Sequence, residues 1–191
     1  MIVSHSHKFV FIEIPRTASS SMAAAIHESV GDSIQLNSPR QSKHGRDIPD
    51  CFSGTGYTVF ACVRNPYDRT YSHFRFRRDG KLAIGRPRAF IKNFTRYVAW
   101  ATKGSGRRIN TRPQHWYLAR ADNPVVIKFE DLPHCFYNLE FLPRGISLPH
   151  VNGNSSDDWR QHYNEDLADR VYRFSSKDFE LFGYDRDSWN S

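Results

Sequence analysis

The chain has 191 residues, 39% of them hydrophobic and 14% aromatic, which excludes a disordered tail and suits a single domain (1–191) with its own core. No apolar run approaches the roughly 18 to 20 residues that cross a bilayer, no tripartite secretory leader opens the sequence, and Cys51, Cys62 and Cys135 stand at spacings that suggest neither a disulfide framework nor a zinc site, so a cytoplasmic location is expected. Lys plus Arg number 27 against 20 Asp plus Glu, a net +7, and between Arg64 and Arg112 there are 14 basic residues and 2 acidic ones; such a concentration of guanidinium forks points to an anionic partner.

In chain order, Lys8 to Ile14 (KFVFIEI) is short, aromatic and β-branched and predicts a buried strand stopped by Pro15. Ser19 to Val30 predicts a helix, with serines available to cap its first turn and Gly31 to end it. Residues 37–56 are rich in Ser, Pro, Gly and charge and read as loop. Tyr57 to Val63 (YTVFACV) is a second, nearly continuous apolar strand of the kind found in parallel sheets, and Arg64-Asn65-Pro66 ends it. Helices are predicted over 69–78, 87–101, 113–121 and 165–182, the last stopped by Gly183, with a basic loop at 103–108 and a third strand at 124–129. Strands that alternate with helices favour an α/β fold on a small parallel sheet with right-handed crossovers.

Two places along this pattern carry chemistry. Arg16, Thr17, Ala18, Ser19, Ser20 and Ser21 lie between a buried strand and a helix start, where backbone N–H groups and the positive end of the helix dipole attract phosphate-type oxygens. The loop has no Gly, so the Gly-x4-Gly-Lys-Ser/Thr pattern of nucleoside triphosphatases is absent. At the end of the second strand Arg64 leaves the sheet at the edge where open parallel sheets present their ligand crevice, with Ser72 eight residues on, along the next helix. Two strand-end anion sites in one short α/β chain imply a ligand with two separated anionic ends.

These residues resemble a known family. IPRTASSS followed by VRNPYDRTYSHF is similar to the paired motifs of sulfotransferases that use 3′-phosphoadenosine 5′-phosphosulfate (PAPS), in the branch with the carbohydrate and heparan-type enzymes and many bacterial members. Pro113-Gln114 with Tyr117-Leu118, VIKFEDL, LPHVNGNSS and KDFELFGYD continue the similarity over essentially the whole chain. The resemblance implies a P-loop-like three-layer fold, with a small central parallel sheet flanked by helices, that transfers a sulfuryl group to a hydroxyl or amine acceptor, a carbohydrate or small metabolite, with no metal required. It also implies that the 16–21 loop holds the 5′-phosphosulfate, that Arg64 and Ser72 hold the 3′-phosphate, and that Arg16 stands where the family more often has Lys. A His general base has its pKa near the working pH; bacterial members similar to this chain carry one at the place of His44, which makes it the expected base. Glu13 is a rival, His27 and His73 read as structural, and His150 and Asn152 as shaping the entrance to the site.

Two other readings compete. The basic 64–112 segment, with its Phe and Tyr rings, could serve a nucleic-acid-binding module, but that reading explains neither strand-end motif. A kinase-like phosphotransferase is disfavoured by the missing Gly-rich loop and by the lack of an evident carboxylate pair for Mg²⁺.

Overall fold

The computed structural model describes residues 1–37, 56–78, 93–103, 109–149 and 158–191. The chain divides into two compact units, each drawn from two stretches: residues 1–64 with 114–153, and residues 65–113 with 154–191. The strands are β1 (Ile2–Ser4), β2 (Phe9–Ile12), β3 (Ile34–Gln35), β4 (Thr58–Val63) and β5 (Val125–Lys128). The α-helices are α1 (Ser19–Ser29), α2 (Pro66–Arg78), α3 (Phe94–Ala101), α4 (Gln114–Leu118), α5 (His134–Tyr137) and α6 (Glu165–Phe182).

All five strands form one sheet in the first unit, ordered β3-β1-β2-β4-β5. The three expected strands are its parallel part: β2 pairs β4 with Ile12 opposite Ala61, and β4 pairs β5 with Val63 opposite Lys128. The sheet is mixed rather than purely parallel, because β1 reaches β2 through residues 5–8, and so short a connection can only return the chain antiparallel. That turn is pinned by Asp32, whose carboxylate accepts from the Ser4 hydroxyl at 2.6 Å, the Ser6 amide at 2.7 Å, the His5 amide at 2.8 Å and the Ser6 hydroxyl at 2.8 Å. These bonds, the Ser4 hydroxyl foremost, hold the Asp32 carboxyl well below the usual carboxylate range. β3 pairs β1 antiparallel at the outer edge.

Helix α1 buries Met22, Ala23, Ala25 and Ile26, the spacing of a single helical face, in a cluster with Phe9, Phe11 and Phe60 of the sheet. Phe60 stacks on Phe11 at 4.8 Å and meets Phe9 edge-on at 5.6 Å.

The second unit holds α2, α3 and α6 around a cluster of rings that includes Tyr67, Tyr71, Phe74, Phe94, Tyr97 and Tyr163. α2 begins three residues before its expected start. Asn65 Oδ1 accepts the Tyr67 amide at 3.0 Å, and Pro66 takes the first helical position, where its missing N–H costs nothing. The described part of α3 opens at Phe94, because the Asn93 side chain accepts the Arg96 amide at 3.1 Å and caps it there. α6 has its expected bounds: Asn164 caps it through the Leu167 amide, and Gly183 ends it at φ 61°, a left-handed conformation that glycine adopts without a Cβ clash.

Candidate functional site

Because β2, β4 and β5 are parallel neighbours, their C-terminal ends open at one edge of the sheet. At the end of β2 the chain turns sharply, with Arg16 at φ 70° and Ala18 at φ 60°. Thr17, fully buried, donates its hydroxyl to the Ile14 carbonyl at 2.9 Å and ties the turn to the strand. The Ala18 carbonyl then accepts from the amides of Ser21 at 3.0 Å and Met22 at 3.1 Å, and α1 begins. Ala18 is therefore the residue in the capping position and no side chain caps the helix. The expected serine cap is absent because the left-handed turn at Ala18 carries Ser19, Ser20 and Ser21 into the first helical turn. Ser19 is buried there and Ser20 exposed.

At the end of β4, Arg64 is held from three sides. Its amide donates to Gln114 Oε1 at 2.9 Å, and its carbonyl accepts from Gln114 Nε2 at 2.8 Å. Its guanidinium carbon lies 4.0 Å from the centre of the Phe129 ring, a cation–π contact supplied by the end of β5. Its Nη1 donates to the Arg16 carbonyl at 3.4 Å. The structure thus brings Arg64 against the loop of Arg16, Thr17 and Ala18.

The other expected site residues fall elsewhere. Ser72 lies half-buried in α2, in the second unit. His44, His150 and Asn152 lie outside the described residues. Glu13 is buried; its Oε2 lies 3.1 Å from the Met1 ammonium and accepts from Gln35 Nε2 at 2.7 Å, as a structural carboxylate would. His27 is exposed, with Nδ1 2.9 Å from the Ser33 hydroxyl, and His73 is buried with Nδ1 2.6 Å from the Tyr97 hydroxyl. Burial pushes the Cys62 thiol well up and also raises that of Cys135, which leaves both poor nucleophiles. Among the described residues no three His, Cys, Asp or Glu side chains gather as metal ligands would, and no helix is long and apolar enough to cross a membrane.

An open cleft of about 740 Å³ lies in the second unit between α3 and α6. Asp166, Asp169, Arg170 and Arg173 line it in offsetting charge, with Arg173 paired to Asp169 at 2.8 Å, so it offers no cationic seat for a phosphate. No residue of either strand-end motif lines it.

Gln114 and Phe129 are the residues at the strand ends to which sequence reasoning assigned no role. Gln114 stands in a motif similar to the family's, but a Gln after a Pro carries no mark of a backbone partner 50 positions away. No curated protein and no solved structure matches the chain. The model of the sulfotransferase family matches residues 1–185, a span that includes every strand and α-helix described above, and the chain belongs to that family.

Proposed function

We propose that this chain transfers a sulfuryl group from PAPS to a hydroxyl or amine acceptor, a carbohydrate or small metabolite. The observation that carries the reading is the adjacency of β2 and β4. Parallel pairing delivers the Arg16 loop and Arg64 to the same sheet edge, with Arg64 Nη1 3.4 Å from the Arg16 carbonyl. A nucleotide with a phosphosulfate at one end and a 3′-phosphate at the other suits two cationic strand ends held side by side.

In this reading the backbone amides of Thr17, Ala18, Ser19 and Ser20 and the serine hydroxyls take the 5′-phosphosulfate, Ser21 through its hydroxyl alone because its N–H is bonded to the Ala18 carbonyl. Thr17 contributes through its amide, since its hydroxyl proton is committed to Ile14. Arg64, and by the shared motif Ser72, take the 3′-phosphate. The acceptor oxygen or nitrogen forms a bond to sulfur in line with the sulfur–oxygen bond that breaks, and the electron pair of the broken bond stays on the 5′-phosphate. Arg16 stabilises that growing charge, and His44 accepts the acceptor's proton. No residue has to form a covalent intermediate, so positioning and electrostatics carry the work.

Isothermal titration with adenosine 3′,5′-bisphosphate tests the reading. The wild-type chain is expected to bind it with micromolar affinity, and Arg64→Ala to weaken it by about 1–3 kcal/mol, the scale for a charged hydrogen bond left without its partner. No binding by the wild type rejects the PAPS assignment, and an unchanged affinity in the variant rejects the role of Arg64.

A further inference from the structure

Arg64 follows the last residue of β4, where the sheet's ladder ends, and its peptide groups would otherwise be left to solvent or to neighbouring side chains. The Gln114 carboxamide takes the place of a ladder partner. It accepts from the Arg64 N–H and donates to the Arg64 C=O, and Gln114 is fully buried at 0% exposure. The two bonds need opposite ends of the carboxamide, so together they fix its orientation as well as that of the peptide. The guanidinium is held separately, over Phe129 and against the Arg16 carbonyl.

We propose that Gln114 is the positioning residue of the donor site: its two-point clamp sets the direction in which Arg64 leaves the sheet, and so the affinity for the 3′-phosphate but not for the 5′-phosphate. The inference rests on the PAPS reading above. A side chain aimed by a single rotatable strand end would have to be ordered when the phosphate arrives, whereas one whose peptide is clamped has lost that freedom during folding.

The test compares adenosine 3′,5′-bisphosphate with adenosine 5′-phosphate, which lacks the 3′ group, by titration calorimetry on Gln114→Met and Gln114→Glu. Gln114→Met keeps the volume and removes both bonds. It is expected to weaken the bisphosphate about tenfold, the order expected for hydrogen bonds to buried groups, and to leave adenosine 5′-phosphate binding at its wild-type value. In Gln114→Glu the carboxylate still accepts from the Arg64 N–H but repels its carbonyl, and protonation restores a donor. The ratio of wild-type to variant affinity should therefore shrink as the pH is lowered, a profile that also serves if Gln114→Met does not fold.

Bisphosphate binding by Gln114→Met at the wild-type value overturns the inference, as does an equal loss for both nucleotides, which a merely structural role would give. A pH-independent ratio for Gln114→Glu overturns it too. If the wild type binds no bisphosphate at all, the PAPS reading falls and takes the inference with it, an outcome distinct from the others.

Discussion

In the first unit, the cluster under α1 packs rings without polar tips: Phe9, Phe11 and Phe60 meet the aliphatic face of that helix. The second carries hydroxyls into its core, and each finds a partner. Tyr67 donates to the Arg186 carbonyl at 2.7 Å and Tyr163 to the Tyr67 carbonyl at 2.8 Å, while Tyr71 lies 2.7 Å from His162 Nε2 and Tyr97 2.6 Å from His73 Nδ1. Arg16 and Arg64 stand outside that hydrocarbon cluster, past the ends of β2 and β4. In the second unit the hydroxyls and two of the histidines are spent on holding rings in place, which argues for scaffold rather than chemistry.

That contrast can be pressed experimentally. Phe60→Ala, which removes a ring packed on Phe9, Phe11 and Phe141, is expected to cost about 3–5 kcal/mol in urea unfolding; a loss under about 1 kcal/mol would show that this core is not close-packed. Tyr163→Phe keeps the ring and removes only the bond to the Tyr67 carbonyl, for an expected cost of about 1 kcal/mol. If it costs nothing, the two cores are of one kind.

The same hydroxyls set an alkaline limit. Burial pushes both Tyr163 and Tyr67 well above the ordinary tyrosine value, so the folded groups stay protonated while unfolded ones ionise near pH ~10. The contribution of these two groups to stability is therefore flat below about pH 10 and falls as pH rises beyond it, until the folded hydroxyls themselves ionise. Tyr163→Phe should make that fall shallower, which denaturant titrations at pH 9 and above would read (~pH 9 being below the ionisation of the unfolded side chain). Of similar size, Asn164→Ala removes the cap of α6 and is expected to cost about 1 kcal/mol; an unaltered unfolding midpoint would mean that the tyrosine cluster alone holds the helix.

Much of this was legible because the signals are local. Alternating burial is not needed to find β2 or β4, whose apolar runs are bounded by Pro15 and by Arg64-Asn65-Pro66, and α6 is announced by its periodicity and Gly183. β1 escaped notice because three residues, Ile2 to Ser4, are too few to show a period, and β3 is shorter still. Strand-end chemistry singles out Arg16 and Arg64, and the structure sets them past the ends of β2 and β4 with Arg64 Nη1 on the Arg16 carbonyl. The serines of the first loop were misread as caps because nothing in ASSSM reveals that Ala18 turns left-handed. Gln114 was out of reach for another reason: its partners are peptide groups 50 positions away, and backbone carries no sequence signature.

The bend between β2 and α1 places two residues with side chains, Arg16 and Ala18, at φ 70° and 60°. Each such residue costs about 1 kcal/mol or more that a glycine would be spared. Glycine would also let the segment wander among many shapes, all but one of them forfeited on folding. By accepting the tension in the native state, this chain trades some of its resistance to unfolding for a turn of one fixed shape, which under the proposed function is set before the donor arrives.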